Sequence, residues 1–240
     1  MDLLSLLTDE LHLEPDIFDS QTILITGSGR GIGRQCAWAF AFLGGTVILA
    51  EQSDQGREVE AQIRQEGGQA HFIQTDVADP ESVASLAEHT STQFGPLSVL
   101  VNNAIFIRQA GVLEMSDDIW EKTMAVNLRG TFLTCRAFLP GMLSRDKGVI
   151  LNMISTDAMP GLSAYIASKQ GITGFSQSLA LETHDSGVHI IPFAPGMVDT
   201  PGIRSVAEGL APRLGLTKED FLNLSLHAAY DGLMPPEHAA

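Results

Sequence analysis

The chain has 240 residues, 44% of them hydrophobic and 18% charged, a balance that suits a chain burying a substantial core and excludes a disordered acidic tail protein. Its 29 Asp and Glu against 14 Lys and Arg leave a formal charge of −15, so neither nucleic acid nor an anionic membrane surface is expected as a partner. Cys36 and Cys135 stand far apart and outside any CxxC arrangement, which argues against a disulfide framework or a thiolate metal site and makes a reducing, cytoplasmic setting the expectation.

The chain opens with MDLLSLLTDELHLEPD, where acids interrupt the leucines and no basic stretch precedes them. A short helical extension over residues 1–17 is predicted rather than a secretory signal. The most apolar stretch, CAWAFAFLGGTVILA at 36–50, is split by Gly44-Gly45 and falls short of the ~20 residues that a membrane-spanning helix needs. Six strands are predicted: TILIT at 22–26, TVILA at 46–50, AHFIQT at 70–75, LSVLV at 97–101, GVILNMI at 148–154 and VHIIPF at 188–193. Most are continuous apolar runs, as in strands covered on both faces, and the stretches between them are long enough for crossover helices. The predicted fold is therefore α/β, a doubly wound parallel sheet in a three-layer α/β/α arrangement, with one domain over residues 18–240.

Helix boundaries fit this division. Asp79-Pro80 reads as an N-cap followed by an N1 proline, and Ser116-Asp117-Asp118 opens a helix running through Trp120 to Leu139. Pro140-Gly141 marks a turn or kink near its end. Beyond Phe193 the chain reads as loop through APGMVDTPG and as helix again near Lys218, while Pro235-Pro236-Glu237 resembles the start of a helix whose body is missing.

The first strand runs into TGSGRGIG and then into a helical segment. Strand, glycine loop and helix N-terminus form a cradle for a pyrophosphate. GxGxxG fails in both registers, with Ile32 or Arg34 in the last position, and a P-loop fails because no Lys-Ser/Thr follows; TGxxxGxG fits, using Gly27, Gly31 and Gly33. Tyr165 and Lys169 are four apart in a helical segment and share a face. A tyrosine titrates near ~10, and lowering that by about three units takes ~4 kcal/mol, which an ammonium ~4 Å away at an effective dielectric of ~20 supplies. Ser155 ends the fifth strand and is preferred to Ser163 for orienting a reacting oxygen, because Ser163 lies too near Tyr165 to face it. Asn127, amid apolar residues in AVNLRG, needs hydrogen-bond partners. No HExxH, histidine cluster or GxSxG occurs, so no metal is expected and a hydrolase elbow is excluded.

With TGxxxGxG come DVAD at 76–79, NNA at 102–104, YIASK at 165–169 and PGMVDT at 195–200. In these motifs the chain resembles the short-chain dehydrogenase/reductase family over roughly residues 20–202. The resemblance implies a Rossmann-like fold, a nicotinamide cofactor and hydride transfer to or from a small secondary alcohol or ketone. It makes Tyr165 the general acid/base, Lys169 the group that stabilises the phenolate and reaches the ribose, and Ser155 the residue that positions the oxygen. Asn127 would hold a helix distortion and support a proton relay. For the cofactor it implies Gly27, Arg30, Gly31, Ile32 and Gly33 around the pyrophosphate, and Asp76 and Val77 beside the adenine. Asn102 would lie on the adenosine side, with Pro195, Gly196, Val198 and Thr200 at the nicotinamide. Glu51, at the end of the second strand, would repel a 2′-phosphate and favour NAD over NADP, although Arg30 pulls the other way. A homodimer or homotetramer is implied as well.

Three departures accompany the resemblance. The loop TDAMPG between Ser155 and Tyr165 is short, Ile105 replaces a glycine after NNA, and the family's seventh strand is missing, so the expectation is either a fragment of a longer chain or a sheet that ends early at a bare edge. These leave a second expectation open, a dinucleotide-binding regulator of the same fold without catalysis.

Overall fold

Strands β1 (Thr22–Thr26), β2 (Thr46–Glu51), β3 (Gln69–Gln74), β4 (Leu97–Asn102), β5 (Gly148–Met153) and β6 (Val188–Phe193) pair in parallel in the order β3-β2-β1-β4-β5-β6. The computed structural model describes residues 6–156, 158–224, 229–230 and 232–240. All six predicted strands are present, each within a residue or so of its expected bounds.

Period-two alternation along β1 divides the core between two faces. Ile23 and Ile25 meet α1 (Gly31–Phe42) and α2 (Gln55–Gln65) through Cys36, Ala37, Val59 and Ile63. Leu24 points the other way, toward Leu86 of α3 (Pro80–Phe94), Phe138 and Met142 of α5 (Gly130–Leu143) and Leu179 of α6 (Ser163–Glu182). Ile23, Leu24 and Ile25 are wholly buried, each stabilising the sheet by about 1.5–3 kcal/mol. The molecule is thus an α/β Rossmann-like fold, and the strand order reverses beside β1, between β2 and β4.

Helix starts follow the sequence closely. The Asp79 side chain accepts the Glu81 N–H at the start of α3, and Ser116 accepts the Ile119 N–H at the start of α4 (Asp117–Thr123). Between α4 and α5 the chain widens into a π-helical segment, Met124–Arg129, with Asn127 inside it. Pro140-Gly141 lies within α5 rather than ending it; one backbone bond forgone near a helix terminus is a small loss.

Three predicted segments differ. Of the extension expected to be helical over 1–17, the described part forms one π-helical turn, Leu6–Glu10, whose Leu6 and Leu7 pack on Ala39 and Leu43. The acids Asp9 and Glu10 oppose the dipole at its C-terminal end, and His12 at φ 53° turns the chain away. After PGMVDT the expected loop instead gives α7 (Pro201–Leu210), capped by Thr200 and begun by Pro201, before a 3₁₀ turn at Pro212–Leu214 and α8 (Lys218–Leu222). Pro236–Ala239 forms a short 3₁₀ turn. Among the described residues nothing pairs with the outer side of β6, and Ile191 and Phe193 are exposed there.

Candidate active site

The glycine loop leaves β1 at the point where the strand order reverses, the place where a doubly wound sheet opens a crevice at its carboxyl ends. Gly27 has φ +66°, and a Cβ on it would lie 2.8 Å from Ala104 Cα just beyond β4. A Cβ on Gly33 would collide with the Gly27 carbonyl and the Asn103 amide. Asn103 locks this approach: its Nδ2 donates to the carbonyls of Thr26 at 3.1 Å and Gly27 at 2.9 Å. The N–H groups of Asn103 and Ala104 both donate to Thr26 Oγ1 at 3.0 Å. Arg30 caps α1 with no side-chain hydrogen bond, so the first-turn N–H groups remain available to an anion.

A cleft of about 800 Å³ runs from this loop to α6 and brings together Gly27, Arg30, Gly31 and Ile32 with Glu51, Asp76 and Val77. The Glu51 carboxylate sits over the loop. Its Oε2 accepts the Gly29 N–H at 3.2 Å, and its Oε1 accepts both the N–H and the hydroxyl of Ser53, at 3.1 and 3.0 Å. Asp76 accepts from the Ala78 N–H at 2.9 Å and from Gln52 Nε2 at 3.0 Å. Arg30 is exposed at the mouth.

Two residues expected at the cofactor lie elsewhere. Asn102 does not line the cleft: it is buried beneath the sheet, its Nδ2 donating to Asn152 Oδ1 at 2.9 Å while Thr134 Oγ1 donates to its Oδ1 at 2.6 Å. Alternation along β4 turns it away and leaves the next residue, Asn103, on the cleft side. Gly33 is buried behind the loop, where it permits the close packing just described.

At the other end of the cleft stand Ser155, Tyr165 and Lys169. Ser155 is hydrogen-bonded to the Tyr165 phenol. Lys169, one turn further along α6, is buried and donates to the Met153 carbonyl at 2.6 Å, with its Nζ 5.8 Å from the Tyr165 ring centroid. Burial pushes the Lys169 ammonium down to about 8. Burial likewise pushes the phenol up, and the Ser155 hydrogen bond pulls it back. In this arrangement the phenol is raised rather than lowered, because desolvation of the phenolate outweighs the Ser155 hydrogen bond, and the lysine is directed to a carbonyl. Asn127 is fully buried and lies outside the cleft. Its Oδ1 accepts the Phe106 N–H at 2.7 Å, and its Nδ2 donates to the Phe106 carbonyl and to Ser168 Oγ, both at 3.0 Å. Ser168 in turn donates to the Tyr165 carbonyl at 2.7 Å.

The segment with Pro195, Gly196, Val198 and Thr200 closes the cleft. Backbone bonds from Asp199 N–H to the Met234 carbonyl (2.8 Å) and from Met234 N–H to the Met197 carbonyl (3.0 Å) hold it.

Compared with known proteins, residues 21–211 match the short chain dehydrogenase family. The chain belongs to the short-chain dehydrogenase/reductase family. It is 37% identical over 196 residues to a D-threitol dehydrogenase of Mycolicibacterium smegmatis, covering 80% of this chain and 75% of the relative. Among solved structures, a putative NAD(P) dependent gluconate 5-dehydrogenase from Beutenbergia cavernae with bound NADP matches with TM-score 0.80 and 30% identity, over 93% of this chain and 88% of that one. An actinorhodin polyketide ketoreductase with NADPH matches with TM-score 0.86 and 27% identity, over 93% and 89%. This short-chain dehydrogenase/reductase is an NAD(P)-dependent oxidoreductase acting on CH–OH groups of small molecules. Its residues fit the dinucleotide: the loop at Gly27 has no room for a Cβ, the α1 N-terminus is uncapped, and a pinned carboxylate stands at the end of β2. Among the described residues no helix is long and apolar enough to cross a membrane, and no cluster of metal-ligating side chains occurs.

Asn103 and Ser168 were not singled out from the sequence of this short-chain dehydrogenase/reductase. Asn103 sits inside the NNA motif, and strand alternation past Val101 was the signal that distinguishes it from Asn102. Ser168 lies one turn from Tyr165 in YIASK, but nothing in the string marks it as the acceptor for a distant amide.

Proposed function

We propose that this enzyme interconverts secondary alcohols and ketones with NAD(H), using Tyr165 as general acid/base. The observation that carries this reading is the Ser155–Tyr165 hydrogen bond at one end of a cleft whose other end is the glycine loop under Glu51. When bound, the nicotinamide takes up or returns a hydride at the carbinol carbon. In oxidation the Tyr165 phenolate would accept the hydroxyl proton as the carbinol carbon gives up its hydride, and in reduction the Tyr165 phenol would return that proton. Ser155 orients the reacting oxygen, Lys169 supplies positive charge beside the phenolate, and Asn127 braces α6 through Ser168.

Glu51 favours NAD, since its carboxylate at the end of β2 repels a 2′-phosphate. A homodimer or homotetramer through the helices around Asn127 and Tyr165 belongs to the same proposal, supported by exposed Trp120 on α4, Phe132 on α5 and Leu181 on α6. The test is turnover of a panel of alcohols and ketones by the wild type and by Tyr165→Phe, with dinucleotide affinity measured in parallel. Rates should vanish in the variant while affinity stays within about twofold. Undiminished turnover by Tyr165→Phe, or NADH binding by the wild type with no turnover of any member, would overturn the proposal.

A further inference from the structure

The two halves of the cleft differ in chemistry. The half over the glycine loop carries Arg30, Glu51, Asp54, Glu58 and Asp76. The half beyond Tyr165 is walled by Ile107, Met159, Leu162, Ile166, Met197 and Ile203. Among the described residues its polar side chains are Ser155, Tyr165, Lys169 and Thr200. Each already has a protein partner: Ser155 and Tyr165 one another, Lys169 Nζ the Met153 carbonyl, while Thr200 Oγ1 accepts the Ile203 N–H at 3.3 Å.

Three described polar side chains around this half have partners elsewhere. Gln109 Nε2 donates to the Val206 carbonyl at 2.9 Å, and the same carboxamide packs against Gly209. Arg204 forms a two-bond ion pair with Asp199, both contacts 2.6 Å, and Arg213 pairs with Glu114 at 3.7 Å. Neither of these arginines, nor exposed Arg108, lines the cleft.

We propose that the substrate is an apolar secondary alcohol or ketone whose arm bears no carboxylate, phosphate or further hydroxyl. This rests on the oxidoreductase reading above and names the substrate class of the same site. Among the described residues, a carboxylate entering this half would shed its water for no cation but Lys169, which is held at the Met153 carbonyl, and a polyol would shed several hydrogen bonds for few at Ser155 and Tyr165. Each methylene laid along the wall instead leaves water for a hydrocarbon surface.

The test measures kcat/KM with NADH for methyl ketones from butanone through octanone. In the reverse direction it uses the matching alcohols beside threitol and gluconate. The ketone series should climb by about fourfold per methylene, and threitol and gluconate should fall at least about a hundredfold below octanol. Saturation-transfer NMR on the NADH complex of Tyr165→Phe reads octanone and gluconate binding without turnover. Met159→Arg, on a half-exposed loop position, should weaken octanone about tenfold and admit a keto acid, with Ile107→Lys as a second variant. A flat ketone series, or gluconate or threitol turned over as well as octanol, overturns the apolar pocket and leaves the oxidoreductase standing. Octanone binding with no turnover of any member upholds the pocket and rejects the oxidoreductase reading. Absence of both binding and turnover overturns both.

Discussion

Lys169 Nζ lies 2.6 Å from the carbonyl oxygen of Met153, the last residue of β5. The strand end thus fixes two groups at once, because Ser155 follows Met153 by two residues and meets the Tyr165 phenol, while Lys169 reaches back to the strand from α6. Burial disfavours charge on both titrating groups, holding the phenol up and the ammonium down. The protein alone therefore keeps Tyr165 protonated at neutral pH, and its ionisation depends on hydrogen bonds and on what enters the cleft.

The lysine gives a stability signature. Its ammonium titrates at about 8 in the fold against 10.5 ordinarily. Below the folded value both states are protonated and the burial penalty is fully present; between the two values the unfolded chain binds more protons, so stability rises with pH. Denaturant unfolding of the wild type relative to Lys169→Met should show a gain on the order of 3 kcal/mol from neutral pH to pH about 10. Parallel pH curves for the two proteins would show that the ammonium is not desolvated.

Ser155→Ala removes the hydrogen bond that lowers the phenol. Tyr165 should then ionise at still higher pH, moving the rising limb of alcohol oxidation upward and extending ketone reduction to higher pH. At neutral pH kcat/KM for oxidation should fall about a hundredfold or more. Rate profiles in both directions check this; a limb that stays in place would place Ser155 outside the proton transfer.

How much of this was legible follows from the range of the forces involved. Runs such as TILIT and LSVLV declare buried parallel strands because both of their faces must leave water, and Asp79-Pro80 declares a helix start because capping is local. The glycine loop was legible for the same reason. The partners that Asn102 finds beneath β4, the burial that raises Tyr165 and the carbonyl that takes Lys169 all depend on chain segments brought together by the fold. The helix at Pro201–Leu210 was missed although Thr200-Pro201 is a cap followed by an N1 proline, because PGMVDTPG reads as loop on composition alone.

Asn127 is predicted to act through Phe106 and Ser168. Asn127→Ala leaves the Phe106 N–H and carbonyl without their side-chain partners, a loss of about 1–3 kcal/mol for these half-buried groups. Asn127→Asp keeps the acceptor but loses the donor to Phe106 and Ser168, so it should rescue little. Denaturant midpoints, together with faster amide exchange at Phe106 and along the first turns of α6, are the measurements; an Asp variant as stable as the wild type would remove the carboxamide's donor role.

Glu51 is predicted to favour NAD over NADP. With its carboxylate held by Gly29 and Ser53, a 2′-phosphate would face an anion that cannot swing aside without giving up those bonds. Glu51→Ala removes the repulsion while Arg30, exposed at the same mouth, remains to pair with the phosphate. NADPH affinity should rise at least about tenfold and NADH affinity should fall by a similar factor, equivalent to about 1.4 kcal/mol each. Adding Arg30→Ala should erase the NADPH gain and spare the NADH loss, since the ribose contact proposed for Glu51 does not involve Arg30. Fluorescence titration of both reduced dinucleotides on the three variants separates the terms, and a wild type that binds NADPH more tightly than NADH would show that Arg30, rather than Glu51, governs the choice.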